Sequence, residues 1–313
     1  MAETQEDQSE YEISMWGPTS SGKTSLMNSL MRSLYDRSQH DKFFDYLIYD
    51  ADAEELQIDY SHLFTPPFDK DQSGTVSPET FRWVFQRRFK PTSKFVQPVS
   101  VHTHLIQIHD MAGVKAVALD DSLTKTIFSN SKFVLLMLDH TLLTEASAGQ
   151  NIQTPWSTTG VTKQEYVASV EKFIRFLAES KPRETRWLAV CFVKVDLLSI
   201  NRDPWQLINA HFGSNMTDLL TDCRNRLGWN VESFSVSSVG FVHKNGKRKS
   251  NFDLGKLEIL DSENWAPYNV ESPFFWMFNE IEKLRLKQHD SFISQWLFSD
   301  RNKEWVPYVY NRA

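Results

Sequence analysis

The chain has 313 residues, a formal net charge of −6 at neutral pH and 41% hydrophobic residues. This apolar content is enough for a sizeable core and excludes a wholly disordered chain, while the negative charge argues against a general nucleic-acid binder. The two cysteines, Cys191 and Cys223, are too few for a disulfide framework, and each lies in a stretch that predicts a buried thiol. The acidic residues 1–9 predict a disordered leader rather than a signal peptide. Apolar runs such as residues 133–138 are too short to cross a bilayer, so we expect a cytoplasmic protein with no transmembrane segment.

Strand and helix patterns alternate over residues 10–290, which predicts one α/β domain with a mostly parallel sheet. The predicted strands are residues 11–16, 43–49, 80–89, 99–109, 133–138, 187–195 and 232–236. The first predicted helix comes after Thr24 and ends at about residue 36. Further helices are predicted over residues 54–64, 163–180 and 203–227, the last of them broken near Gly213. Ser272 is predicted to cap a final helix that has Pro273 at its first position. A turn at residues 90–94 predicts an antiparallel hairpin at one edge of the sheet. A polar loop is expected over 241–271, and the aromatic residues 291–313 are expected to dock on the core or bind a partner.

A phosphate-binding loop of the Walker A or P-loop type is predicted between the first strand and the first helix. Two glycines are separated by four residues and followed by Lys and Thr. The glycines let the backbone curl so that N–H groups point toward phosphate oxygens, and the helix N-terminus adds positive potential. We expect Lys23 to reach the terminal phosphates and the Thr24 hydroxyl to hold Mg²⁺. The predicted contact residues are Gly17, Thr19, Ser20, Ser21, Gly22, Lys23, Thr24 and Ser25.

A second acidic site is predicted at the end of the strand that precedes Gly113. Asp110 ends this strand, where an acid beside a phosphate loop can hold Mg²⁺ through water. Gly113 lies three residues later and can offer its backbone N–H to a γ-phosphate. Strand position and order along the chain favour this function over a plain turn.

A base-reading site is predicted from two later strand ends. Asp196 follows Lys194 at the end of the strand over 187–195, and its carboxylate can accept two hydrogen bonds from the ring N–H and amino group of guanine. Adenine has no such pair of donors, so a buried acceptor would discriminate against it. Ser237 and Ser238 close the next strand and can place a backbone N–H near the guanine carbonyl oxygen.

These four stretches, in this order, resemble the Ras-like, translation-factor-related (TRAFAC) class of P-loop GTPases over residues 11–288. The extra strand and helix before the switch loop, together with residues 265–273, look most like the bacterial "double-GTPase" family of conflict and defence-type systems. The resemblance implies a three-layer Ras-like G domain with insertions. It also implies roles for Lys23 and Thr24 on phosphate and Mg²⁺, for Asp110 and Gly113 as a third motif, and for Lys194 and Asp196 on the base.

The function implied by the resemblance is a GTP-binding molecular switch, a hydrolase that converts GTP to GDP and phosphate with Mg²⁺. A switch threonine that closes over Mg²⁺ should lie just before the antiparallel hairpin; Thr75 fits the expected offset best and Thr80 is the alternative. Lys23, Thr75 and Gly113 would then serve catalysis, and Thr24, Thr75 and Asp110 would hold the metal. Expected partners are a guanine nucleotide, proteins encoded by neighbouring genes, and a second GTPase domain across the nucleotide face.

Three residues depart from the Ras-like pattern. Val193 replaces the Asn or Thr that begins the base-reading motif, Val114 stands where a water-orienting Gln is usual, and Thr19 replaces a small glycine. We therefore expect slow hydrolysis without a partner. Two alternatives stay open from the sequence: a P-loop ATPase or nucleotide kinase, and an interaction scaffold that binds nucleotide with little turnover.

Overall fold

The computed structural model describes residues 8–40, 46–50, 79–88, 101–110, 122–143, 162–181, 184–198, 203–244, 246–253 and 258–289. The strands are β1 (Gln8–Trp16), β2 (Tyr46–Asp50), β3 (Glu79–Arg88), β4 (Val101–Asp110), β5 (Phe133–Asp139), β6 (Trp187–Val193), β7 (Asn230–Ser235), β8 (Phe241–Lys244), β9 (Lys247–Ser250), β10 (Phe252–Asp253) and β11 (Glu258–Ile259). The helices are α1 (Lys23–His40), α2 (Ser122–Asn130), α3 (Lys163–Ser180), α4 (Pro204–Phe212), α5 (Ser214–Asn225) and α6 (Ser272–His289). Short 3-10 turns at His140–Leu142 and Val195–Leu197 follow β5 and β6.

Among the described residues, seven strands form the main sheet, in the order β2-β3-β4-β1-β5-β6-β7. Five neighbouring strands of this sheet are mutually parallel: β4, β1, β5, β6 and β7. β3 runs antiparallel to β4, and β2 runs antiparallel to β3 at the edge. The α/β class, the mostly parallel sheet and the antiparallel pairing of β3 with β4 are therefore confirmed. The turn predicted at residues 90–94 lies outside the described residues, and β2 adds a further antiparallel strand at the edge.

Helices cover both faces of the sheet. α1 and α6 pack on one face through residues that include Leu26, Leu30, Phe274 and Phe278. α2, α3, α4 and α5 contribute to the core on the other face. Every residue of β5 and of β6 is buried, because each strand is covered from both sides. Two-sided burial explains the uninterrupted apolar runs from which both strands were predicted.

Arg186 ties the helical face to the sheet just before β6. It is 1% exposed, and its guanidinium donates to the backbone carbonyls of Phe128, Ser129 and Ser131 at the end of α2. A further bond reaches the hydroxyl of Ser180 in α3. A cation at the C-terminus of a helix satisfies carbonyls that have no partner within the helix.

Several predicted boundaries are confirmed and others shift. α3 covers the predicted residues 163–180, where Thr162 and Glu165 form a reciprocal capping box. The predicted break at Gly213 separates α4 from α5. β1 begins at Gln8, inside the predicted leader, and β6 ends at Val193, two residues early. The helix predicted over 54–64 and the segment 291–313 lie outside the described residues.

Within the described residues, one helix and two small hairpins were not predicted. α2 carries only two buried residues, Thr124 and Phe128, so it has no apolar stripe to detect. Within the expected polar loop 241–271, β8 pairs with β9 and β10 pairs with β11 as small antiparallel hairpins. Both cysteines are free and buried, as expected. Across the stretches that the structure describes, no helix is both long and apolar enough to span a membrane.

Candidate functional site

The loop between β1 and α1 is tightly curled. A Cβ atom at Gly17 would lie 2.6 Å from the Ser21 hydroxyl oxygen and 2.9 Å from the Met137 Cβ, so only glycine fits there. Gly22 and Ser20 adopt positive φ values of 84° and 65°. The loop ends directly at the first turn of α1. Curled main-chain amides at a helix N-terminus form a geometry that suits anions.

Lys23 folds back onto this loop. Its side chain is buried, and its ammonium donates to the carbonyl oxygens of Gly17 at 2.9 Å and Pro18 at 3.1 Å. The positive charge therefore lies within the concave side of the loop rather than in solvent. Ser21 is fully buried, and its hydroxyl has no hydrogen-bond partner among the described residues.

Lys194 joins three segments at the carboxyl edge of the sheet. Its ammonium lies 2.6 Å from the carboxylate of Asp139 and donates to the backbone oxygen of Ser20 at 3.0 Å. Asp139 is fully buried, and its other oxygen accepts bonds from the amide and hydroxyl of Thr141 at 2.9 and 2.7 Å. Lys194 itself has left-handed backbone angles, φ 58° and ψ 36°. The glycine loop is thus held against the ends of β5 and β6.

Asp196 lies in the 3-10 turn after β6 and is 6% exposed. One carboxylate oxygen accepts a bond from the Ser237 hydroxyl at 2.6 Å, and the other accepts from the Ser250 hydroxyl at 2.6 Å. Burial raises the pKa of Asp196 above its ordinary value, and the two serine hydroxyls oppose that rise. The carboxylate is therefore held in one orientation from two sides.

The turn after β7 is braced by a later segment. Ser237 exchanges two backbone hydrogen bonds with Tyr268, at 3.0 and 2.8 Å. The Trp265 indole donates to the Ser238 carbonyl oxygen at 2.9 Å, and the Asn269 side chain donates to Ser235 at 3.0 Å. Residues 265–269 therefore support the turn beside Asp196.

One cleft connects the glycine loop to this carboxylate. Its polar lining consists of Ser21, Gly22, Ser25, Lys194, Asp196 and Ser238. Val193, Val236 and Phe252 contribute to an apolar wall. Six predicted site residues therefore line the same cleft.

The other predicted site residues lie beside the cleft or outside the described chain. Gly17, Ser20 and Lys23 belong to the loop, and Ser237 holds Asp196. Thr19 is exposed on the loop and Thr24 is half-buried in α1. The backbone of Asp110 ends β4 in register with Met15 of β1, but its side chain is outside the description. Thr75, Gly113 and Val114 are also outside it.

Thr80, the alternative switch threonine, lies in β3 beside the end of β4. Its hydroxyl oxygen is 3.0 Å from Nδ1 of His109, a buried imidazole. This contact lies within the sheet, so the hydroxyl already has a structural role there.

Sequence reasoning missed four residues that shape the site: Asp139, Thr141, Ser250 and Phe252. Asp139 ends an apolar strand, and an acid in that position was a detectable signal. Ser250 and Phe252 lie in what reads as a polar loop, where nothing local indicates that they reach Asp196 or the cleft.

Within the stretches that the structure describes, no group of three or more His, Cys, Asp or Glu residues is placed to hold a metal ion. The sequence matches no protein-family model and no curated protein. The function is therefore inferred from the geometry of the cleft.

Proposed function

We propose that this chain is a cytoplasmic GTP-binding protein that hydrolyses GTP and acts as a nucleotide-dependent switch. The observation that carries the proposal is the common cleft, lined both by the glycine loop and by the buried carboxylate of Asp196. A triphosphate needs a cluster of amides and a cation, and guanine needs an acceptor for two neighbouring N–H groups. The cleft and the adjoining glycine loop with Lys23 offer groups for both requirements.

The sheet topology supports a ligand at this place. β1 and β5 are adjacent, and the chain leaves them toward opposite sides of the sheet: from β1 toward β2, β3 and β4, and from β5 toward β6. In open α/β sheets the crevice at the carboxyl ends of two such strands is the usual ligand site. The glycine loop follows β1, and Asp139 ends β5.

The phosphate end of the proposed site uses Lys23 and the loop amides. In the structure the ammonium is bound to two neutral carbonyl oxygens. A bond between an ammonium and an anionic phosphate oxygen is stronger than a bond to a neutral carbonyl, so a triphosphate would draw the ammonium away from the carbonyls. The Ser21 hydroxyl, which has no partner in the described chain, offers a further donor.

The base end uses Asp196. Guanine would donate its N1–H and its 2-amino group to the carboxylate, whereas adenine presents an unprotonated N1 whose lone pair would face the carboxylate without donating to it. Lys194, fixed by Asp139, would hold the base-reading turn at a constant distance from the glycine loop.

The donor set for Mg²⁺ is chemically suitable. Thr24 supplies a hydroxyl in the first turn of α1, and Asp110 supplies a carboxylate at the end of the adjacent strand β4. One hydroxyl, one carboxylate and phosphate oxygens are ligands that Mg²⁺ accepts while keeping several waters. When bound, Mg²⁺ would neutralise charge on the phosphate oxygens.

Hydrolysis breaks the bond between the γ-phosphorus and the bridging oxygen as water attacks, giving GDP and phosphate. Thr75 and Gly113 are proposed to close on the γ-phosphate and to be released with it, which would change affinity for a protein partner. Val114 has no group that orients water, and Thr19 occupies space that an inserted arginine would need. We therefore propose slow turnover until a partner or a second GTPase domain completes the site.

Nucleotide binding to the purified chain tests the proposal. Dissociation constants for GTP, GDP, ATP and xanthosine triphosphate are measured for the wild type, Lys23→Ala and Asp196→Ala, with the exposed Lys132→Ala and Asp218→Ala as matched controls. We expect Lys23→Ala to weaken both triphosphates and Asp196→Ala to weaken GTP by roughly a hundredfold or more, since two charge-assisted bonds are lost.

The outcome separates the rival functions. ATP binding equal to or tighter than GTP binding refutes the proposal in favour of a P-loop ATPase or nucleotide kinase, and absence of GTP binding refutes it outright. Single-turnover hydrolysis then tests catalysis: GTP binding without hydrolysis, alone or with a partner, indicates an interaction scaffold.

A further inference from the structure

A short strap crosses the outer side of the Asp196 turn. Its residues are 250–252, which leave β9 and enter β10. Asn251, in its centre, is fully buried and makes four hydrogen bonds. Its backbone bonds to Gly240 at 3.1 Å and Leu260 at 3.0 Å, and its side chain bonds twice to the backbone of Asp261, at 2.9 and 3.1 Å. The strap is therefore fixed in place from both sides.

The strap places a hydroxyl on the base-reading carboxylate. Ser250 donates to Asp196 at 2.6 Å while accepting the Phe252 amide at 3.2 Å, so its hydroxyl has a defined direction. Ser237 donates to the other oxygen of the same carboxylate. An ionised carboxylate has about four lone-pair sites, two on each oxygen. The two serines and the backbone amide of Asp196 occupy at most three of these sites, so at least one remains for a ligand.

The strap also supplies an apolar surface. Phe252 is 8% exposed and lines the cleft together with Val193 and Val236. A flat heteroaromatic ring packs well against such a surface, because both faces of the ring are poorly hydrated and polarizable. One fixed segment thus presents a hydroxyl that orients the acceptor and a ring that borders it.

We propose that residues 250–252 form the outer wall of the purine site, with Ser250 as the residue that sets guanine specificity by orienting Asp196. This inference rests on the proposed GTP binding and assigns selectivity to a segment outside all four motifs. The ligand class is a 6-oxopurine nucleotide with donors at both N1 and the 2-position. Phe252 would stabilise any purine equally, and Ser250 would favour guanine over purines that lack the 2-amino group.

The test compares GTP with inosine triphosphate, which keeps N1–H and lacks the 2-amino group. Dissociation constants are measured for the wild type, Ser250→Ala, Ser250→Thr and Phe252→Leu, with the exposed Ser262→Ala as control. We expect Ser250→Ala to weaken GTP by roughly tenfold and inosine triphosphate by less, so that the preference for GTP shrinks. Ser250→Thr keeps the hydroxyl and should therefore show the wild-type preference for GTP. Phe252→Leu should weaken both nucleotides by the same factor.

The ratio of the two affinities separates a specificity role from a merely structural one. A general loss of folding lowers both affinities together and leaves their ratio unchanged. If the Ser250→Ala protein keeps the wild-type ratio, or binds GTP more tightly than the wild type, the inference is wrong while GTP binding itself stands. If the wild type binds no GTP, the proposed function and this inference both fail.

Discussion

The buried imidazole of His140 should make the stability of the protein depend on pH. His140 is 6% exposed and follows Asp139 at the end of β5. Its ring stacks on Phe192, with centroids 5.1 Å apart and planes inclined by 12°, and His211 lies 5.0 Å away. Burial lowers the pKa of His140 to about 4; His211 and Lys194 add to that effect and Asp139 opposes it.

The sign follows from proton uptake. As the pH falls below the ordinary histidine value of 6.5, the unfolded chain takes up a proton at this residue, whereas the folded chain does not until about pH 4. The unfolded state binds more protons in this window, so the free energy of unfolding falls as the pH falls. A shift of this size corresponds to about 3 kcal/mol in total, of which about 2 kcal/mol is lost between pH 7 and pH 5.

Urea unfolding at pH 7 and pH 5 measures this loss. We expect His140→Phe, which keeps a ring against Phe192 but cannot take up a proton, to lose about 2 kcal/mol less than the wild type between the two pH values. His140→Gln, which also cannot take up a proton, makes the same comparison should the phenylalanine ring of His140→Phe not fit. His243→Gln, an exposed histidine in β8, is the control and should match the wild type. An equal loss in the wild type and in both His140 variants would refute the assignment.

Three further predictions concern the site and its support. Gly240→Ala should lower the free energy of unfolding by about 3 kcal/mol, because φ at this residue is 70° and a Cβ atom would lie 1.8 Å from a backbone oxygen. Gly228→Ala is the control: φ is 67° but the space around it is open, so the loss should be about 1 kcal/mol. Arg186→Met should lower the unfolding free energy by about 3 kcal/mol, because buried carbonyls lose their donor; an unchanged urea midpoint would contradict this. Because burial raises the pKa of Asp196, calorimetric GTP affinity should weaken as the pH falls through that raised pKa, and an affinity that strengthens on acidification would contradict an ionised acceptor.

Local sequence patterns predicted those parts of the fold whose causes are local. α3 was predicted within its observed limits because an amphipathic stripe and a capping box lie within the helix itself. β5 was predicted because a strand covered on both faces must be apolar throughout. α2 was not, because Arg186, distant in sequence, stabilises its end and only Thr124 and Phe128 are buried.

The same division holds for the cleft. The sequence by itself determined the glycine loop, because residues 17–24 are contiguous and their chemistry depends on local backbone geometry. It also indicated Asp196, because an acid after a buried strand is a visible signal. Only the tertiary structure decided what surrounds that carboxylate. Ser250, which donates to Asp196, is 54 residues away from it in the chain. Lys194, which links Asp139 to the glycine loop, lies 55 residues after Asp139. Contacts of that range depend on how strands are ordered and where insertions fold back, and no short window of sequence contains that information.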